Sequence, residues 1–369
     1  MLKLLLAEPA ARTSNEADLW TAIPDAEVTI VAHRDGWGAH RHLVLPQRSV
    51  PFVGGSEGWT AAPAWLRGLS RLDPGPIDAV ISLELFSFSS AQCRHLARRL
   101  GVPHIVAVAE TMADNPIYKI PPYRQITRRV NEHAALVVCD TALAQDHAIT
   151  LGVPAERTAV VHLAVDSNVF TPARDGLTRE PVVLYVGMLR ADRGADKGVV
   201  DIVHACERAK ADHPDLRLLM VGEGHLKPEL DTMAATRPWM TVVGRIPRDE
   251  MAATMRSARA LILASKRTWK WEEQFGFVLV EAMSCGLPVV GTRSGAIPEV
   301  VAPGNGLADE GDVAGLAAAL SGALGPDGEA QGRRNREHVL ESYDRAIQGQ
   351  RLRAAVEPVI HEFRSARAS

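Results

Sequence analysis

Short, largely apolar runs recur along this chain with room for one helix between most neighbours. Leu2–Leu6, Val28–Ala32, Ala79–Leu83, His104–Val108, Leu136–Cys139 and Thr158–His162 read as strands. Segments such as Ser90–Leu100, apolar at Ala91, Leu96, Ala97 and Leu100, read as amphipathic helices. A strand apolar on both faces needs a covering layer on each side, so the alternation predicts parallel sheets covered by helices. The rhythm breaks at residues 171–181, a polar stretch bracketed by Pro172 and Pro181 and containing Gly176, the composition of a linker. It restarts with Val182–Val186, Leu216–Val221, Met240–Val243, Ala260–Leu263 and Pro288–Gly291. The expectation is an α/β chain of two doubly wound domains, 1–173 and 180–344, facing each other across a deep cleft. The charged helical segment at about 345–369 is expected to pack back on the first domain.

A chain of 369 residues is long enough for two cores. Its formal net charge of -3 gives no general attraction for nucleic acid, which is set aside as a partner. Cys93, Cys139, Cys206 and Cys285 are scattered, with neither the spacing of a zinc site nor that of a redox pair. They read as buried thiols in a reducing compartment. The apolar start, Met1–Leu6, stops at Glu8, too short for the core of a signal peptide and suited to a first strand. No apolar stretch approaches the about 20 residues of a membrane span. The expected location is the cytoplasm.

Ligands of open parallel sheets bind beyond the carboxyl ends of the strands. The most informative segment there is Trp271-Glu272-Glu273-Gln274-Phe275-Gly276-Phe277-Val278-Leu279-Val280-Glu281. The spacing predicts a loop up to Gly276 and a helix over Phe277–Ser284, ended by Gly286. A helix N-terminus offers free N–H groups and the positive end of a dipole, a site for phosphate oxygens at Gly276, Phe277 and Val278. Glu281 lies one turn on, where its carboxylate can accept from both ribose hydroxyls. Glu273, in the loop, can reach hydroxyls of a sugar. Alone, Glu281 fits a solvated helix face equally well; the whole block does not.

This block, continued by Ala282-Met283-Ser284-Cys285-Gly286-Leu287-Pro288 and by Gly295-Ala296-Ile297-Pro298-Glu299, resembles the retaining glycosyltransferases of family 4. The Trp-Glu-Glu-Gln-Phe-Gly form suggests a bacterial or archaeal subset. The resemblance covers nearly all of residues 180–340 and is weaker before them. It implies a GT-B fold of two Rossmann-like domains, an acceptor-binding one and a donor-binding one, and transfer of a sugar from a nucleotide-diphosphate donor, UDP-sugar favoured. It further implies that Lys197, in Asp196-Lys197-Gly198, neutralises the diphosphate and joins Glu273 in catalysis. The family's arginine position is Met188, so Arg190 or Arg193 is expected to supply that cation. Gly222 and Gly224, with Arg245 and Ile246, match the turns that border the donor, and each also fits a purely structural turn.

The first half departs further. Residues 11–16 lack the family's glycine pair, leaving Thr13, Ser14 and Asn15 as polar groups after the first strand. Glu110 stands where most relatives place a histidine near the reacting sugar and is a third catalytic candidate. Glu84 follows the preceding strand, and Asn115 and Tyr123 lie in a rigid, proline-rich loop; these three are the acceptor-binding candidates. Each of the two carboxylates can instead cap a helix. Gly54–Trp59 is a further candidate rim, and Leu163–Phe170 reads as packing and hinge structure. The loop Lys266–Trp271, three cations and two tryptophans, suits either a phosphorylated acceptor or membrane surface, or packed indoles on an exposed loop.

No Asp-x-Asp triplet is present, so no metal and no cofactor is expected. Lys197, an arginine and the helix N-terminus would meet the charge on the leaving diphosphate. The expected partners are a nucleotide-sugar donor and a small-molecule, lipid or glycan acceptor, with peripheral membrane contact as an option. Two rivals remain: a nucleotide-sugar isomerase or hydrolase on the same scaffold, and a catalytically silent nucleotide-sugar binding protein.

Overall fold

The computed structural model describes residues 1–7, 14–32, 42–44, 47–49, 64–173, 179–192 and 195–368. They divide into two compact units, Met1–Ala164 with Arg345–Ser369, and Val165–Asp344. Thr13, Gly54–Trp59, Arg193 and residues 174–178 of the expected linker fall outside the described residues.

The first unit runs β1 (Leu2–Ala7), α1 (Ser14–Thr21), β2 (Ala26–Ala32), β3 (His42–Val44), β4 (Gln47–Ser49), β5 (Ala64–Leu66), β6 (Ala79–Leu83), α2 (Phe88–Leu100), β7 (His104–Val108), α3 (Tyr123–His133), β8 (Leu136–Cys139), α4 (Ala142–Thr150) and β9 (Thr158–Val160). Its main sheet has the order β3-β2-β1-β6-β7-β8-β9, and its pairings are parallel. β4 and β5 form a separate antiparallel pair. Leu5, Val31 and Val80 pack against Cys93 and Leu96 of α2 in one buried cluster. Helix α2 starts where Ser87 Oγ accepts from the Ser90 N–H at 3.1 Å, and ends at Gly101, whose φ of 69° suits a glycine.

The second unit runs β10 (Val182–Val186), α5 (Val199–Ala209), β11 (Arg217–Val221), α6 (Lys227–Ala235), β12 (Met240–Val243), α7 (Arg248–Ser257), β13 (Ala260–Leu263), α8 (Phe277–Ser284), β14 (Val289–Thr292), α9 (Ile297–Val300), β15 (Gly306–Ala308), α10 (Val313–Leu324) and α11 (Gly328–Ser342). Its sheet order is β12-β11-β10-β13-β14-β15, again parallel. The chain winds outward from β10 one way and from β13 the other, so these two adjacent strands bound a crevice at their carboxyl ends.

The long helix α12 (Arg345–Ala368) belongs to the first unit. Leu352, Val356 and Ile360 are fully buried on it, and Arg353 donates to the Pro24 carbonyl. The division between units falls at Ala164, earlier than the proline-bracketed stretch. The reason is local bonding: Ser167 Oγ donates to Asp344, and Arg336 donates to the Ser167 and Phe170 carbonyls at 3.0 and 2.9 Å. Phe170, wholly buried, is therefore core of the second unit. All four cysteines are buried, and burial pushes the Cys206 and Cys285 thiols up to about 12.

Candidate active site

In the second unit, Lys197 follows β10 and Glu273 follows β13, the two strands that bound the crevice. Their side chains meet: Lys197 Nζ lies 2.8 Å from Glu273 Oε2, with only 11% and 10% of the side chains exposed. Two charges so far out of water are tolerable only because they are paired. Ser265 Oγ, fully buried, donates to the same Oε2 at 2.5 Å. The Glu273 carboxylate is thus oriented by two partners on one oxygen.

Backbone geometry holds this arrangement. Gly198, at φ 61°, brings the segment after β10 against β13's end; a Cβ there would lie 1.9 Å from the Ala264 carbonyl oxygen. Ala296 donates its N–H to the Glu273 carbonyl at 2.8 Å, and Gly295 lets that approach happen. Gly276, at φ 76°, opens α8, whose first N–H groups have no partner within the helix. The loop-to-helix junction therefore stands where the sequence placed it.

Glu281 lies on α8, 8% exposed. Burial pushes its carboxyl up to about 7, and the guanidinium of Arg248, 3.8 Å away, opposes that shift. Its charge is therefore poorly solvated and available to hydroxyl donors. Phe277 and Val278 are half-buried beside it.

The remaining candidates of this unit sort differently. Arg190 is bound to Asp192, at 2.8 Å from Nη2 and 3.1 Å from Nε, so its charge is already partnered. Met188 is exposed. Gly222 and Gly224 are required by packing, because a Cβ would lie 1.8 Å from the Gly187 carbonyl oxygen and 2.2 Å from that of Leu189. They fasten the turn after β11 to the turn after β10. Arg245 is exposed and Ile246 half-buried on the loop after β12.

In the first unit, Glu84, Glu110 and Asn115 are brought together as a hydrogen-bonded set. Glu84 Oε1 accepts the Ala109 and Glu110 N–H groups, each at 3.1 Å. Glu110 Oε1 accepts from the Thr111 and Met112 N–H groups at 2.9 Å, and its Oε2 accepts from Asn115 Nδ2 at 3.3 Å. The carboxylates thus order the loop after β7. Tyr123 corrects an expectation: it is 4% exposed, not on a rim. Opening α3, its ring packs edge-on against Phe88, with centroids 5.6 Å apart.

Two neighbours of the site, Ser265 and Arg248, escaped the sequence reading, as did the contact of Trp271 with Lys197. Ser265 had a usable signal, since it stands two residues beyond β13 at a strand's carboxyl end. Arg248 and the contact of Trp271 with Lys197 had none, because both depend on chain segments distant in sequence.

Two family models cover most of the chain. Residues 17–164 match the glycosyl transferase 4-like domain, and residues 180–325 match glycosyl transferases group 1. The chain belongs to the glycosyltransferases. This glycosyltransferase is 29% identical over 331 residues to D-inositol 3-phosphate glycosyltransferase of Mycolicibacterium smegmatis, covering 78% of this chain and 72% of that one. It is 25% identical over 281 residues to the GDP-mannose-dependent alpha-(1-6)-phosphatidylinositol dimannoside mannosyltransferase of Mycobacterium tuberculosis, covering 72% and 68%. Its fold matches the crystal structure of Anabaena Alr3699/HepE in complex with UDP and glucose, with a TM-score of 0.73, 17% identity and coverage of 97% and 100%. Its two doubly wound units are those of the GT-B architecture. Among the described residues no helix is long and apolar enough to cross a membrane.

Proposed function

We propose that this glycosyltransferase transfers a sugar from a UDP-sugar to an acceptor hydroxyl with retention of configuration and without a metal ion. The observation that carries this reading is the pair Lys197–Glu273, set across the crevice between β10 and β13 beside the N-terminus of α8. The diphosphate sits against Lys197 and the free N–H groups of α8, Glu281 accepts from the ribose hydroxyls, and Glu273 Oε1 faces the sugar. As the bond from the anomeric carbon to the diphosphate breaks, negative charge grows where the ammonium and helix dipole already point. The acceptor oxygen takes its place on that carbon, and the acceptor proton is released with the nucleoside diphosphate. UDP is favoured because the resemblance leans that way and a structural relative was crystallised with UDP.

Calorimetric titration with UDP, GDP, ADP and TDP in EDTA tests the reading. Binding of UDP above the others, weakened in Lys197→Ala, is the expected outcome. Binding only with a divalent ion restored removes the metal-free part, and binding of GDP instead reassigns the base. In Glu281→Ala, loss of the ribose contacts should cost roughly 2–4 kcal/mol of nucleotide affinity, from about 1.5–3 per bond to a charged group.

A further inference from the structure

The loop Lys266–Trp271 is built toward Lys197. Lys266 donates its N–H to the Asp196 carbonyl at 2.9 Å, and its ammonium lies 3.0 Å from Asp201 and 3.4 Å from Asp196. The loop is thereby anchored beside the lysine. Two residues on, it closes in a tight turn: the Thr268 N–H donates to the Trp271 carbonyl at 2.7 Å, and the Trp271 N–H donates to Thr268 Oγ1 at 3.0 Å. The outcome is that Lys197 Nζ stands 4.5 Å from the centroid of the Trp271 ring while Glu273 Oε2 holds it from another side.

We infer that Trp271 is a positioning residue for Lys197, an indole floor that holds the ammonium in place for the diphosphate without neutralising it. The inference rests on the donor reading above. Glu273 alone would be an ambiguous partner, because a carboxylate that fixes an ammonium also cancels the charge the phosphate needs. An indole face attracts a cation through its quadrupole and carries no net charge. With Trp271 beneath it, the ammonium can loosen from Glu273 and turn toward the diphosphate without leaving the crevice. Glu273 Oε2 then keeps its bond from Ser265. The tryptophan two residues before Glu273 thus has a job distinct from that of Trp269 in the same loop, which is 58% exposed.

Calorimetry on Trp271→Leu, Trp271→Phe and Lys197→Ala, with UDP against uridine and GDP against guanosine, tests the inference. Trp271→Leu should weaken the nucleoside diphosphate roughly tenfold, within the usual span of a partly desolvated cation–π contact. Trp271→Phe should restore most of the loss, and nucleoside affinity should be unchanged in both. In turnover, donor KM should rise in Trp271→Leu with acceptor KM unaltered. If Lys197→Ala weakens the diphosphate and Trp271→Leu does not, the role of Trp271 falls and the donor reading stands. Equal loss of nucleoside and nucleoside diphosphate means a merely structural tryptophan and also overturns the role. If Lys197→Ala changes nothing, the donor reading itself fails and takes this inference with it.

Discussion

Glu281 has a carboxyl raised to about 7 by burial, which makes it a group that titrates near neutral pH. Ribose hydroxyls donate hydrogen bonds, so they favour its ionised form. Nucleotide affinity should therefore rise as pH climbs from about 6 to 8, and fall as the carboxyl protonates below about 7. The diphosphate also titrates, so the relevant part is what Glu281→Gln removes: that variant should show the flatter profile by calorimetry. Arg248→Ala takes away the cation that opposes the upward shift, and should move the wild-type profile to higher pH. The sign for folding is opposite. A carboxyl whose folded value exceeds its ordinary 4.5 binds protons more tightly in the folded chain. Its contribution is most favourable below 4.5 and is lost as pH rises through about 7. Arg190 shows what residue-level reading from sequence cannot reach. Its type and place suited a phosphate contact, yet Asp192 two residues later takes its guanidinium.

At the scale of elements, Gly198 holds the loop that carries Lys197 against the end of β13, next to Ser265. Gly198→Ala would place a methyl group against the Ala264 carbonyl in a left-handed backbone, a strain of about 1–3 kcal/mol before any clash is relieved. Relief by moving this loop away from β13 would separate Lys197 from Glu273. A lower melting temperature together with weaker nucleoside diphosphate binding is expected; lower stability with unaltered binding would show that the crevice tolerates the shift. Elements of this kind were largely legible beforehand. Ala79–Leu83, His104–Val108, Leu136–Cys139, Val182–Val186, Met240–Val243 and Ala260–Leu263 are strands with the bounds their apolar runs suggested, and Phe277–Ser284 is helical as its spacing implied. A buried parallel strand writes itself as a short, largely apolar run, and Gly276 and Gly286 mark the helix ends chemically. Tyr123 was not legible. Its proline-rich approach looked like a surface rim, whereas the ring's apolar area is satisfied by Phe88, thirty-five positions earlier. Gly222 and Gly224 were visible as glycines, but the carbonyls they accommodate belong to the neighbouring strand's turn.

At the scale of the molecule, α12 supplies Leu352, Val356 and Ile360 to the first unit's interior. Ending the chain after Asp344 would expose their partners and remove roughly 4.5–9 kcal/mol of apolar burial, at about 1.5–3 kcal/mol for each side chain. Differential scanning calorimetry of that truncation should show the first unit melting earlier or not folding. The second unit, all of whose described elements lie between Val165 and Asp344, should retain its transition and its nucleoside diphosphate binding. A single shared transition, shifted as a whole, would show instead that the units melt together.

The return of the chain at Arg345 also sets an order of events during synthesis. The second unit is one uninterrupted stretch, whereas the first is split by it, with α12 made after the second unit. At translation speeds of roughly 5–20 residues per second, the 205 residues from Val165 to Ser369 take about 10–40 s to make. Through most of that interval the surface of residues 1–164 that receives α12 is uncovered. Slowing translation over residues 165–344 should therefore lengthen the time for which the nascent first unit exposes that surface.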